Sequence, residues 1–95
     1  MSSRPSTPRV EPLPSALEAA KEAMKDSVVN AINVTATLAH NEMVSTGVGR
    51  FSRQLLFKGS VDPRLREMVI LRMGWNCQSV YEFGQHTLFG IEVGL

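Results

Sequence analysis

Glu67, Glu82 and His86 are the residues of this chain whose types and spacing suit proton transfer. Glu82 and His86 stand four apart, so on a helix their side chains meet. A carboxylate beside an imidazole fixes the orientation of the ring and steadies a charge on it. Glu67 precedes Ile70, Leu71 and Gly74 by helical spacings, which places all four on one face. A carboxylic acid withdrawn from water into an apolar face is the usual material of general acid–base chemistry. A carboxylate in the first turn of a helix is held as its anion by the helix dipole, which makes His86 a better proton carrier than Glu82. The same residues admit plainer roles. Glu67 can be a rim carboxylate paired with Arg64 or Arg66 in solvent. Glu82 can complete a capping box with Ser79, and His86 can be a helix-surface residue.

Other side chains are weaker candidates. Cys77 is the lone cysteine. Near a helix start it can be reactive, yet it has no partner to resolve it, and a buried, inert thiol is the expected state. Tyr81 offers a hydroxyl to a pocket or packs half-buried. His40 falls at a helix end as a structural or solvent-facing residue. Arg64, Arg66 and Arg72 can receive an anionic substrate or an acidic subunit face. No glycine-rich phosphate loop and no metal-ligand spacing occurs, so no cofactor or metal is implied.

Helices must position these residues. Residues 1–14 hold four of the five prolines and several serines, which predicts a disordered tail. Ser15 with Glu18 reads as a capping box opening a helix on which Leu17, Ala20, Met24 and Val28 recur. The stretch 28–40 is rich in β-branched residues, but its asparagines and alanines favour short helical turns. Asn41 is placed to cap a helix carrying the stripe Val44, Val48, Phe51 and Leu55, with Gly59 as its stop. Gly47 and Gly49 in that helix are small enough to admit a neighbouring helix. Asp62 and Pro63 open the next helix, apolar on nearly every face from Leu65 to Trp75, which predicts a central, buried element. Trp75 to Gln78 forms a turn. Ser79 and Glu82 then cap a helix through about Phe89, with Gly90 and Gly94 marking its end or a bend. The fold class is all-α: one helical domain over residues 15–95.

Composition bounds the function. With 95 residues the chain is one small domain, marginal alone and helped by partner subunits. Ten basic against nine acidic residues argue against a nucleic-acid binder. No apolar run approaches the ~20 residues of a membrane span, and with no apolar stretch after its arginines the N-terminal segment is not expected to act as a secretory signal. A single cysteine requires no oxidising compartment, so a cytoplasmic setting is expected.

The run Val61 to Trp75 (VDPRLREMVILRMGW), followed by Val80 to His86 (VYEFGQH), resembles the carboxymuconolactone decarboxylase family, which includes the alkylhydroperoxidase D-like proteins. Thr37 to Asn41 (TLAHN) resembles the short segment before that family's core. The resemblance spans roughly residues 28–95 and is strongest over 61–86. It implies a small all-α bundle assembled as homo-trimers or hexamers, with active sites near subunit contacts. Glu67 and His86 match the glutamate and histidine that, in the peroxidase branch, relay protons to a Cys-x-x-Cys pair. The two cysteine positions are Ser79 and Glu82 here, and Tyr81 precedes the second. Thiol-based peroxide reduction needs a thiolate and a resolving sulfur, so the peroxidase activity of that branch does not carry over. The chain also stops where family domains continue with further helices, which reads as a fragment, a shortened product, or cover supplied by a second subunit.

The resemblance implies a cofactor-free lyase or isomerase acting on a small carboxylated, lactone-type substrate. In that reading His86 transfers the proton, Glu67 holds or recharges it, and Glu82 orients the ring. Arg72 receives the substrate carboxylate, with Tyr81 and Ser79 beside it. The alternative is a non-catalytic helical oligomerisation module. A peroxidase working through Cys77 ranks behind both.

Overall fold

A computed structural model describes residues 5–27 and 31–95. Its helices are α1 (Pro14–Ala23), α2 (Ile32–Leu38), α3 (Glu42–Phe57), α4 (Pro63–Asn76) and α5 (Val80–Glu92), and no strand occurs among the described residues. Val28, one of the expected apolar positions, lies outside the described residues.

The first helix corrects the expected capping box. It begins at Pro14, with Leu13 at the N-cap and no side-chain cap bond. Proline's fixed φ suits the first helical position, and it disfavours helical geometry in the residue before it. Ser15 therefore sits inside the helix, and Glu18 faces Lys21 at 3.3 Å on the exposed surface. Residues before the helix are engaged as well. The Leu13 amide donates to Ala36 O at 3.0 Å, and His40 Nε2 lies 2.7 Å from Glu11 O. α1 packs on α2, where Ala20 and Ala36 are the buried apolar residues.

Asn41 caps α3 as its position predicts, accepting from the Val44 amide at 3.1 Å. The apolar stripe of α3 is not covered: Val44, Val48, Phe51 and Leu55 are all exposed, and α3 buries no residue. No neighbouring helix enters at Gly47, where an added Cβ meets nothing within 4 Å.

Asp62 and Pro63 open α4, the Asp62 carboxylate accepting from the Leu65 amide at 3.1 Å. Its composition predicts a buried central helix, and the structure corrects this. Leu65, Met68, Val69, Met73 and Trp75 are exposed, because α5 packs on a single face of α4. That face carries Glu67 and Gly74, both buried. At Gly74 the two backbones approach closely: a Cβ there would stand 3.3 Å from the Phe83 amide nitrogen.

The α4–α5 connection is tight. Ser79 N–H donates to Gly74 O at 2.9 Å and Gln78 N–H to Trp75 O at 3.0 Å, with Gln78 at φ +54°. This is a Schellman closure, a left-handed residue letting two amides satisfy the last carbonyls of a helix. Ser79 then turns from closing α4 to capping α5, its Oγ accepting from the Glu82 amide at 3.3 Å. The end of α5 repeats the motif with glycine in the left-handed place. Gly94 is at φ +96°, Leu95 N–H donates to Gly90 O and Gly94 N–H to Ile91 O. Gly90, expected as an end or a bend, is therefore inside the helix and buried against Leu71 and Leu95.

The two closures differ in one residue type. A side chain in the left-handed region costs roughly 1 kcal/mol that glycine avoids. Gln78→Gly is therefore expected to stabilise the chain by about 1 kcal/mol, read as a higher midpoint in thermal or urea unfolding. An unchanged or lower midpoint would contradict the closure.

Candidate functional site

The packing of α4 on α5 sets Glu67 opposite His86. The Glu67 side chain is 0% exposed, the largest fully buried side chain among the described residues. An unpaired carboxylate in that position would be costly, so its two oxygens need donors. Oε1 lies 2.6 Å from His86 Nδ1, and Oε2 accepts from Arg66 Nε at 2.7 Å. Arg66 Nη1 also donates to the Leu56 carbonyl, near the end of α3. The carboxylate is thus held between a guanidinium from its own helix and an imidazole from the next.

With Glu67 as its anion, these contacts are consistent with one arrangement of the ring's proton. Arg66 Nε–H donates to Oε2 and supplies the charge that a carboxylate anion needs. Toward Oε1 the imidazole then presents Nδ1–H as a donor, which leaves Nε2 as the reactive ring atom. Glu82 Oε1 lies 3.4 Å from Nε2. Glu82 therefore does not close a capping box with Ser79, whose own amide is spent on Gly74 O. The His86 side chain is 13% exposed and that of Glu82 46%, so the cluster grades from sealed Glu67 to solvated Glu82.

His86 and Glu82 open onto a cavity of about 480 Å³. Phe51, Ser52, Leu55 and Leu56 of α3 form one wall, and Arg66, Val69 and Ile70 of α4 another. A few polar groups in an otherwise apolar, open-sided cleft of this size suit a small molecule. The residues expected from sequence divide between this place and others. Glu67, Glu82 and His86 come together. Arg72 is exposed and does not line the cavity. Ser79 caps α5, and the Tyr81 hydroxyl accepts from the Val34 amide at 3.4 Å, serving the first turn of α2. Cys77 caps the end of α4 and is exposed rather than buried, its Sγ 3.6 Å from Met73 Sδ.

Arg66 is the site residue that sequence reasoning undervalued. Adjacent residues on a helix point about 100° apart, so Arg66 beside Glu67 reads as a partner only in solvent. The signal was present in the Arg-Glu pair at the start of an apolar helix, since a buried carboxylate requires a cation in reach.

Removing the central carboxylate strands both partners. Glu67→Ala is expected to cost about 3–5 kcal/mol, the range for breaking a buried charged pair from one side. Urea unfolding followed by far-UV circular dichroism checks this, and a loss below about 1 kcal/mol would match a surface pair instead.

No family model matches the chain, and no curated protein or solved structure matches it.

Proposed function

We propose that the chain is a cofactor-free acid–base enzyme, a lyase or isomerase of the carboxymuconolactone decarboxylase type acting on a small carboxylated lactone. The observation that carries this reading is the Glu67–His86 contact of 2.6 Å, sealed on the glutamate side and open to the cavity on the imidazole side. A carboxylate bound to one ring nitrogen orients the imidazole and stabilises the imidazolium that forms when the other nitrogen takes a proton. His86 Nε2 removes a proton from substrate carbon beside a carbonyl, leaving the electron pair in an enolate. In the isomerising variant Nε2 returns that proton to a different carbon of the enolate. In the decarboxylating variant no carbon is deprotonated: the ring starts as the imidazolium, its Nε2 proton supplied through Glu82, the C–C bond to the carboxyl group breaks, its electron pair forms the enolate as CO₂ leaves, and the Nε2 proton is delivered to the enolate carbon.

The two glutamates divide the work by their access to water. Glu67 has none, so it holds the ring and exchanges no proton with bulk. Glu82, 46% exposed and 3.4 Å from Nε2, resets the ring's proton from solvent. This reverses the roles that the family resemblance implies for them. Arg66 brings the cavity its guanidinium, with Ser52 as a further polar lining group, and the apolar walls suit the carbon skeleton of the substrate.

A second reading, the non-catalytic assembly module, draws on the exposed stripe of α3, whose Phe51 is 66% exposed. Further copies of the chain, as trimer or hexamer, would cover that stripe in either reading. A peroxidase through Cys77 has no resolving sulfur in the chain and is not supported.

Turnover of a carboxylated lactone decides between them. His86→Gln is expected to lower kcat by at least about 100-fold, the contribution of a positioned acid–base group, while its thermal melt stays near that of the parent. A well-folded parent oligomer that turns over no such lactone would leave the assembly module.

A further inference from the structure

We infer that Arg66 is a positioning residue that ties the end of α3 to the Glu67–His86 pair, so that the seating of α3 is read at the imidazole. The inference rests on the reading of that pair as the reactive one.

One side chain makes both connections. Arg66 Nε donates to Glu67 Oε2 at 2.7 Å, and Nη1 of the same planar group donates to Leu56 O. A guanidinium is a rigid fork, so its two bonds cannot be adjusted independently. The Arg66 side chain is only 15% exposed, and Glu67 is fully enclosed, so neither swings freely into solvent. A shift of the Leu56 carbonyl therefore rotates the fork, moves Oε2, and reorients the carboxylate whose other oxygen holds His86 Nδ1.

α3 is the element able to make such a shift. It buries no residue, yet Phe51, Ser52, Leu55 and Leu56 form one wall of the cavity. A ligand pressing on that wall acts on the same helix end that carries the Leu56 carbonyl. Occupancy of the cavity is thereby passed to the proton-transfer pair through Arg66, without the ligand touching Glu67.

Gly59 offers a lever outside the site. A Cβ on Gly59 would fall 2.7 Å from Leu55 O, a backbone atom, so Gly59→Ala must shift the chain where α3 ends. Gly47→Ala in the same helix meets nothing within 4 Å and serves as the control. The readout is the His86 ring in long-range ¹H–¹⁵N spectra, where His40 is the only other histidine. Gly59→Ala is expected to shift the His86 Nδ1 resonance, and Gly47→Ala to leave it in place. Arg66→Lys keeps a cation near Glu67 but lacks the fork, so in that background Gly59→Ala is expected to add no further shift.

An unmoved His86 resonance in Gly59→Ala overturns the inference. So does an equal shift with and without Arg66, since the coupling would then bypass it. Should Arg66→Lys fail to fold, the contrast between Gly59→Ala and Gly47→Ala decides alone. The reading of function fails separately: a shifted resonance with undiminished lactone turnover in His86→Gln would remove the enzyme role and leave the linkage standing.

Discussion

A carboxylate with no exposed surface is the constraint around which the α4–α5 half of this chain is arranged. Water solvates such a group well, and burial is tolerated only when donors replace it on both oxygens. Glu67 receives one donor from its own helix and one from the next. This fixes the register between α4 and α5, because His86 must arrive opposite Glu67. The close backbone approach at Gly74 and the covered glycine at position 90 belong to that same register.

The connection between the two helices is economical in chain. Ser79 satisfies a carbonyl of the helix that ends and an amide of the helix that starts, with Gln78 turning the chain between. So short a link leaves α5 little freedom to slide. The precision of the Glu67–His86 contact then comes from backbone geometry at one end of the hairpin and from charge pairing near the other. Apolar packing contributes less than usual, since Ala20 and Ala36 are the buried apolar residues among those described, and both belong to the α1–α2 pair.

The helices themselves were legible because their signals are local. Asn41, Asp62 and Ser79 are small polar residues followed by free amides, and each caps the helix expected of it. The reading failed where two local signals compete. Pro14 outranks Ser15 at the start of α1, since a pre-set φ outweighs a hydroxyl one residue later. The meeting of Glu67 with His86 was legible in part, from one apolar face and a recurrent spacing. The place of Arg66 was half legible: its bond to adjacent Glu67 is local, but its second bond goes to a carbonyl ten residues upstream that only the tertiary fold supplies. The burial of α4 was overestimated for a related reason: composition reports how apolar a helix is, not how many neighbours the chain provides to cover it.

The bond from the Val34 amide to the Tyr81 hydroxyl joins α2 of one helix pair to α5 of the other. Tyr81 is the chain's single tyrosine, and Trp75, its single tryptophan, sits near the end of α4 with its ring 6.1 Å from that of Phe83. Nature has thus installed two intrinsic fluorophores at separate mechanical stations, the phenol across the seam between the halves and the indole beside the hairpin bend. The indole, excited selectively, therefore senses loosening of the bend, while the surroundings of the phenol change when the halves part.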